Sequence, residues 1–318
     1  MTGRQDIQIS VVVPVYNEES NLLPLYGQLA SVLKSTVGES YEILFVNDGS
    51  QDQSLEILRT LTSQHAAVRY IDFSRNFGHQ IAVMAGLDHA VGQSVVIIDA
   101  DLQDPPELIA DLYHKMQEGF EVVYAKRRTR KGESVIKKLT ARLFYRILQS
   151  ITSVAIPVDT GDFRIIHSKV VDVLRQMPEQ HKFLRGQISW VGFRQTHILY
   201  DRDERLGGST GYTYRKMIRF ALDGITSFSD FPLKLATLAG FVVSFFAFLY
   251  MIWTLIARIV WPESHVQGWA SLIISVLFLG GIQLISIGII GEYMSRMNMN
   301  VMGRPLYVVR EMKGEVSQ

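Results

Sequence analysis

The stretch Ser94-Val95-Val96-Ile97-Ile98-Asp99-Ala100-Asp101-Leu102-Gln103-Asp104-Pro105-Pro106 decides how the chain is read. Its first half is short, rich in β-branched residues and bounded by turn formers, the pattern of a strand buried on both faces. Carboxylates that follow such a strand emerge at its C-terminal edge, where open α/β sheets bind ligands. Asp99 and Asp101 lie one residue apart, so they cannot both leave a regular strand on the same face. The chain is therefore expected to turn here and let both carboxylates converge. Hard oxygen ligands of that kind suit Mg²⁺ or Mn²⁺ shared with a diphosphate. A plain strand-to-helix turn, with Asp104 capping a helix that starts at Pro105-Pro106, would use the same residues. The neighbouring segments decide between the two.

Working outward, strands and helices alternate over the first 125 residues or so, the pattern of a parallel sheet with helices on both faces. Residues 9–16 form an apolar strand stopped by Asn17-Glu18-Glu19, followed by a helix over 22–33. A second strand, 41–46, ends in Asn47-Asp48-Gly49-Ser50 and leads to a helix from Asp52 to Leu61. A third, 68–73, ends in Ser74-Arg75-Asn76-Phe77-Gly78-His79 before a helix over 80–90. Strand 94–98 leads to the acidic pair, and 121–125 is a fifth strand. Four successive strand ends thus place Asp, Asn, Arg and Glu on one rim, a concentration that turn formation alone does not require.

The 318 residues are 47% hydrophobic and carry a net charge of +1, which accommodates an α/β domain plus something more and gives no sign of a nucleic-acid partner. No cysteine is present, which excludes disulfides and thiol catalysis. Residues 1–10 are polar and lack the apolar core of a signal peptide, so the N-terminal domain is expected in the cytoplasm. The apolar excess lies far along the chain: residues 235–257 and 269–291 contain no Asp, Glu, Lys or Arg and are long enough to cross a bilayer. Between them stand only Arg258 and Glu263, whereas the outer flanks carry Arg215, Lys216, Arg219, Lys234, Arg296, Arg304, Arg310 and Lys313. The positive-inside rule then puts both termini in the cytoplasm, with Trp253, Trp261 and Trp269 towards the far interface. The expected organisation is a cytoplasmic domain over 1–230, a two-helix membrane domain over 231–292 and a cytoplasmic tail over 293–318.

After the fifth strand, Lys126-Arg127-Arg128-Thr129-Arg130-Lys131 packs five cations into six residues. Lys138, Arg142 and Arg146 then recur every four residues, with Val135, Leu139, Leu143 and Ile147 on a neighbouring face. Residues 134–150 therefore read as an amphipathic helix with a basic stripe, of the type that lies in a membrane interface and meets anionic headgroups. Residues 214–228 read as a second interfacial helix. Residues 202–212, with Arg205 and Gly207-Gly208-Ser209, form a polar loop of the kind that serves as an active-site lid.

Together, Val12-Val13-Pro14-Val15-Tyr16-Asn17-Glu18-Glu19, Val46-Asn47-Asp48-Gly49-Ser50 and Asp99-Ala100-Asp101-Leu102-Gln103-Asp104 make the chain resemble the inverting family 2 glycosyltransferases of the GT-A fold. With Ser74 to His79, Asp159-Thr160-Gly161-Asp162-Phe163-Arg164 and two C-terminal spans, it resembles the polyisoprenyl-phosphate glycosyltransferases. That group includes the dolichyl-phosphate mannose synthases and the bacterial bactoprenol glucosyltransferases, and the two spans bring it nearest to the latter.

The resemblance implies a hexosyltransferase of the bacterial inner membrane, with a Rossmann-like GT-A domain followed by interfacial and transmembrane helices. A nucleotide sugar, UDP-glucose or GDP-mannose, would meet Pro14, Tyr16, Glu18, Asp48, Asp99 and Gln103, with Asp48 bonding the base and the Tyr16 ring covering it. Mg²⁺ or Mn²⁺ would be held by Asp99, Asp101 and Gln103. A polyprenyl phosphate would meet Arg127, Arg128, Lys138, Arg142, Arg164, Arg205 and Ser209. Asp162 occupies the place of the catalytic carboxylate, with Asp159 as the fallback and Asp101 acting through the metal. A phosphate acceptor is largely ionised at neutral pH, so Asp162 need not be a strong base.

Other classes fit less well. Processive polysaccharide synthases share the rim motifs, but no Gln-x-x-Arg-Trp is present and two spans are too few for a polymer channel. A non-catalytic membrane scaffold has no need of all the acidic residues. A Rossmann dehydrogenase lacks its Gly-x-Gly-x-x-Gly after the first strand, and spans without acids or bases do not suit an ion-coupled transporter. Gly280, Gly281, Gly288 and Gly291 permit close helix contact and lead us to expect a homo-oligomer.

Overall fold

The computed structural model describes residues 7–128, 160–201, 229, 231–260 and 269–314. The expected interfacial helices at 134–150 and 214–228 lie outside these residues, and so do Lys138, Arg142, Asp159, Arg205 and Ser209. The chain divides into two compact units, one holding the N-terminal domain together with residues 304–318, the other holding the apolar hairpin.

The first unit is built on one eight-stranded sheet. Its elements are β1 Ile9–Val15, α1 Leu22–Val37, β2 Tyr41–Asn47, α2 Ser54–Gln64, β3 Val68–Phe73, α3 His79–His89, β4 Ser94–Ile97, α4 Leu108–Gln117 and β5 Val122–Arg127. They continue as β6 Thr160–His167, α5 Ser168–Gln176, α6 Leu184–Val191, β7 Gln195–Tyr200 and, from the far end of the chain, β8 Val309–Lys313. The strand order is β7-β5-β6-β4-β1-β2-β3-β8. Strands β4, β1, β2 and β3 pair in parallel, as expected from their uninterrupted apolar runs. The five strands of the first 125 residues or so, β1 to β5, all run in one direction, as expected, and the antiparallel members come from later in the chain. β6 runs antiparallel between β4 and β5, and β8 runs antiparallel along the edge of β3.

Every residue of β1, β2 and β3 is buried, because helices cover both faces. On one face Val11, Val13, Ile43 and Phe45 pack under Leu25 and Leu29 of α1, Leu58 of α2 and Ile109 and Leu112 of α4. On the other, Val12, Val95 and Ile97 pack under Val83 and Leu87 of α3 and Val170 and Leu174 of α5. Each such side chain removed from water contributes roughly 1.5–3 kcal/mol before chain entropy is set against it.

In the second unit, helix α7 spans Phe231–Val260 and helix α8 spans Trp269–Met302. The stretches Phe231–Tyr250 and Phe278–Met302 are long and apolar enough to cross a membrane, with mean hydropathies of 1.8 and 1.3 and no buried share. The Tyr293 hydroxyl donates to the Ser229 carbonyl at 2.6 Å within this unit. α8 continues to Met302, into the segment expected as a tail, and from Arg304 the chain belongs to the first unit.

Gly86 in α3 fixes how closely that helix approaches β1. A Cβ there would fall 2.1 Å from Cγ1 of Val12. Glycine to alanine inside a helix ordinarily stabilises by about 1 kcal/mol, but overpacking a filled core costs about 1–3 kcal/mol. Gly86→Ala is therefore expected to lower the thermal midpoint of the purified protein; an unchanged or raised midpoint would show that α3 can shift freely over β1.

Candidate active site

Because β1 to β4 run in the same direction, their C-terminal ends form one rim, and the antiparallel β6 starts there. The first rim turn follows Pro14, buried in β1, and Tyr16, which is 45% exposed. Asn17 adopts a left-handed φ of 55°, a conformation that asparagine tolerates better than most residues. Its amide donates to Ser50 Oγ at 3.0 Å, and its side-chain oxygen accepts from the Gln51 amide at 2.8 Å. The Glu18 amide donates to Ser54 Oγ at 3.0 Å and its carboxylate accepts from Asn21 Nδ2 at 2.6 Å. The turns after β1 and β2 are thus laced into one surface.

Asp48 is buried, and both of its carboxylate oxygens accept backbone amides of the β3–α3 loop. Oδ1 takes Phe77 N–H at 2.6 Å and Oδ2 takes Gly78 N–H at 2.9 Å. Burial raises its pKa, and the two amides pull against that rise. Asn76 Nδ2 donates to the Asp48 carbonyl at 3.2 Å. Gly49 makes this approach possible: its φ is +67°, and a Cβ would lie 2.5 Å from the Arg75 carbonyl carbon and 2.6 Å from Asn76 N. The residue read from sequence as a base-binding carboxylate therefore also braces the loop from Ser74 to Gly78.

The chain turns after β4, as expected. Leu102 has a φ of 57°, a strained value for a residue of its bulk, and the Gln103 amide donates to Asp101 Oδ1 at 3.2 Å. Asp104 is buried and accepts the Tyr200 hydroxyl at the end of β7. That replaces the helix-capping reading of Asp104, since α4 starts only at Leu108 and its N-cap Glu107 makes no side-chain bond. The Arg127 guanidinium also lies beside the Tyr200 hydroxyl, while Arg128 is exposed and faces Asp201 at 3.9 Å.

Asp162, at the start of β6, is the most heavily bonded carboxylate of the rim. Its Oδ1 accepts Arg185 Nε at 2.8 Å, and its Oδ2 meets Gln80 Nε2 at 3.1 Å and His79 Nε2 at 3.2 Å. Burial opposes its ionisation, but the Arg185 and His79 charges and hydrogen bonds prevail and hold the carboxyl well below the usual range. In return, burial disfavours a charged His79, whereas the Asp162 bond and the Asp99 charge 3.6 Å away raise its pKa to about 9. Gln80 ties the group together, because its side-chain oxygen accepts the Leu184 amide of α6 at 3.2 Å. Arg164, 4% exposed, lies 3.9 Å from Asp162 Oδ1 and donates to the carbonyls of Gly161 at 2.8 Å and Asp162 at 3.2 Å.

His79, Gln80 and Arg185 were assigned no role from the sequence. His79 stands inside a quoted motif, whereas Arg185 is one of two cations, with Lys182, flanking the apolar Phe183-Leu184, and carries no local signal. Only the fold brings it to Asp162.

Asp99 is the rim carboxylate whose surroundings best suit a cation. Its Oδ1 is buried without a hydrogen-bond donor. Burial raises its pKa to about 6, with His79 opposing and Asp162, Asp104 and Asp101 adding to the rise. Among the described residues no three acidic or histidine side chains form a complete metal cage. The donor set fits a hard divalent ion bound through one or two carboxylates and completed by substrate phosphates, the usual Mg²⁺ arrangement.

The sequence profile of glycosyl transferase family 2 matches residues 10–175, and that of the GtrB C-terminal hairpin matches residues 231–297. An uncharacterized glycosyltransferase, YkcC of Bacillus subtilis, is 51% identical over 97% of this chain and 95% of its own length. The prophage bactoprenol glucosyl transferase homolog of Escherichia coli is 40% identical over 96% of this chain and 100% of its own. The bactoprenol glucosyl transferase of Shigella phage SfX gives the same figures. Matched over more than half its length by the family profile and over nearly all of it by these relatives, the chain belongs to glycosyl transferase family 2 and is a GT-A glycosyltransferase with a C-terminal apolar hairpin.

Proposed function

We propose that the enzyme transfers glucose from UDP-glucose to the phosphate of a polyprenyl phosphate, undecaprenyl phosphate in a bacterium, with inversion at the anomeric carbon. The catalytic domain and both termini lie on the cytoplasmic face of the inner membrane in this reading. The observation that carries it is the state of Asp162. A carboxylate bonded by Arg185, Gln80 and His79, with its acidity increased, is a poor base for an alcohol acceptor. A phosphate monoester needs no such base, since its second ionisation falls near pH 6. Relatives named for bactoprenol and glucose support the lipid and the sugar.

In the reaction a phosphate oxygen attacks the anomeric carbon, the bond to the diphosphate breaks, and the nucleoside diphosphate leaves from the opposite face. Asp162, kept ionised, stabilises positive charge developing on the sugar, and Arg185 and Gln80 hold it in place. Asp99 and Asp101, with Gln103, would hold Mg²⁺ or Mn²⁺, which supplies charge neutralisation of the leaving diphosphate. Tyr16, exposed at the rim, offers its ring to the base. Arg127 and Arg128, with Lys138, Arg142, Arg205 and Ser209, remain the groups we assign to the lipid phosphate.

Purified enzyme supplied with labelled UDP-glucose or GDP-mannose is expected to label polyprenyl phosphate from the UDP sugar alone and to leave polyprenol unlabelled. The sugar in the product should show the anomeric configuration opposite to the donor's. Asp101→Ala should reduce transfer roughly a hundredfold or more, the scale of losing a preorganised charge-stabilising group. Transfer to polyprenol, retention of configuration, or labelling from GDP-mannose alone would each contradict the corresponding part of the reading. Arg185→Ala is expected to lower kcat by about tenfold or more while donor KM changes little, since it frees the Asp162 carboxylate without touching the nucleotide turns.

A further inference from the structure

The segment that follows the apolar hairpin is built into the nucleotide end of the rim. β8 pairs along β3 with Ile71 opposite Met312, Asp72 opposite Glu311 and Phe73 opposite Val309. Past the end of the ladder the contact continues, with the Ser74 amide donating to the Val308 carbonyl at 2.9 Å. Arg310 then reaches across the strand end. It donates to the Ser74 carbonyl at 2.7 Å, and its other nitrogen lies 3.4 Å from Asp72 Oδ2. Asp72 is fully buried, its Oδ1 takes Asn47 Nδ2 at 2.7 Å, and its Oδ2 has no hydrogen-bond donor. Arg310 is thus the cation facing a buried carboxylate between the ends of β2 and β3. Tyr307 fills the space beneath, its ring stacked on Phe73 with centroids 5.1 Å apart and its hydroxyl donating to Asp88 at 3.0 Å.

What these residues grip is the strand end that feeds the Asp48 brace. Phe73 packs edge-on against Phe77 at 5.6 Å, and Phe77 and Gly78 give their amides to Asp48. We infer that Arg310 and Tyr307 are positioning residues for the nucleotide donor: the segment behind the membrane hairpin holds the Ser74–Gly78 loop, and through it Asp48, in the donor-binding arrangement. The inference rests on the nucleotide-sugar reading above. Arg310 bonds the Ser74 carbonyl at the start of the loop and Tyr307 packs on Phe73 before it, so the effect on Asp48 passes through the loop. A tether of this kind makes donor affinity depend on the chain returning from the hairpin to the sheet edge.

The test uses full-length protein in detergent with Mg²⁺, and as probe whichever of UDP and GDP the wild type binds more tightly. Nucleotide Kd, donor KM and kcat are measured for wild type, Arg310→Ala, Arg310→Gln, Arg310→Lys and Arg59→Ala. Arg59 grips Glu311, the middle residue of the same strand, whose carboxylate turns to the Tyr70 hydroxyl and away from the loop. Arg310→Ala is expected to raise nucleotide Kd and donor KM about tenfold with kcat within about twofold, Arg310→Lys to restore most of the affinity, and Arg59→Ala to leave it unchanged. Should Arg310→Ala not fold, Arg310→Gln decides by the same criterion. An Arg310 variant with a lowered melting temperature but wild-type Kd and KM would overturn the inference, leaving β8 as an edge cover. An equal loss of affinity in Arg59→Ala would overturn it too. Preference for GDP would contradict the UDP assignment and leave this comparison intact; a wild type that binds neither nucleotide would overturn both.

Discussion

The site depends on one electrostatic arrangement, a nearly buried Asp162 carboxylate held by Arg185 from α6 and by His79 and Gln80 from the start of α3. Charges withdrawn from water are tolerated only when opposite charge and hydrogen bonds replace the lost solvation. Here that requirement ties three elements together at one point. β6 must enter the sheet antiparallel to bring Asp162 to the rim, α3 must start where β3 ends, and α6 must fold back over both. The same requirement sets the chemistry, because a carboxylate so well stabilised is a weak base and a strong fixed negative charge.

The rest of the rim follows the same logic on a smaller scale. Asp48 accepts two backbone amides, Asp104 accepts a tyrosine hydroxyl, and Asp72 is matched by Asn47 and Arg310. Each buried acid organises a loop instead of standing open to solvent. Asp99 differs in that its pKa is pushed up to about 6: one of its oxygens is buried without a hydrogen-bond donor, and only His79, 3.6 Å away, offsets the acids around it. Asp162, Asp104 and Asp101 all crowd that carboxyl with like charge, which is the physical argument for a divalent ion beside it.

Much of this was legible in the sequence, for identifiable reasons. β1 to β4 announce themselves as β-branched runs ending in turn residues, because strands covered on both faces need no polar side chains. The turn at Asp99-Ala100-Asp101 followed from side-chain alternation alone, and Leu102 carries the required left-handed bend. What escaped the reading depends on contacts distant in sequence. Val309-Arg310-Glu311-Met312-Lys313 is a five-residue, mostly exposed edge strand whose neighbour lies more than two hundred residues earlier, so its pattern gives no local signal. Arg185 and Gln80 are ordinary helix-start residues until the fold brings them to Asp162. The bonds of Arg164 to the carbonyls of Gly161 and Asp162, which sit beside the carboxylate it faces at 3.9 Å, are likewise set by the fold of β6.

The central claim is that the nucleophile arrives already ionised and the enzyme supplies no strong base. The most direct measurement is the pH dependence of kcat/KM for the lipid acceptor, with polyprenyl phosphate compared with a phosphonate analogue of higher second pKa. If the acceptor supplies its own charge, the acidic limb lies near pH 6 for the phosphate and moves up with the analogue. A limb that stays at one pH for both acceptors would belong to a group on the enzyme, and would contradict the account.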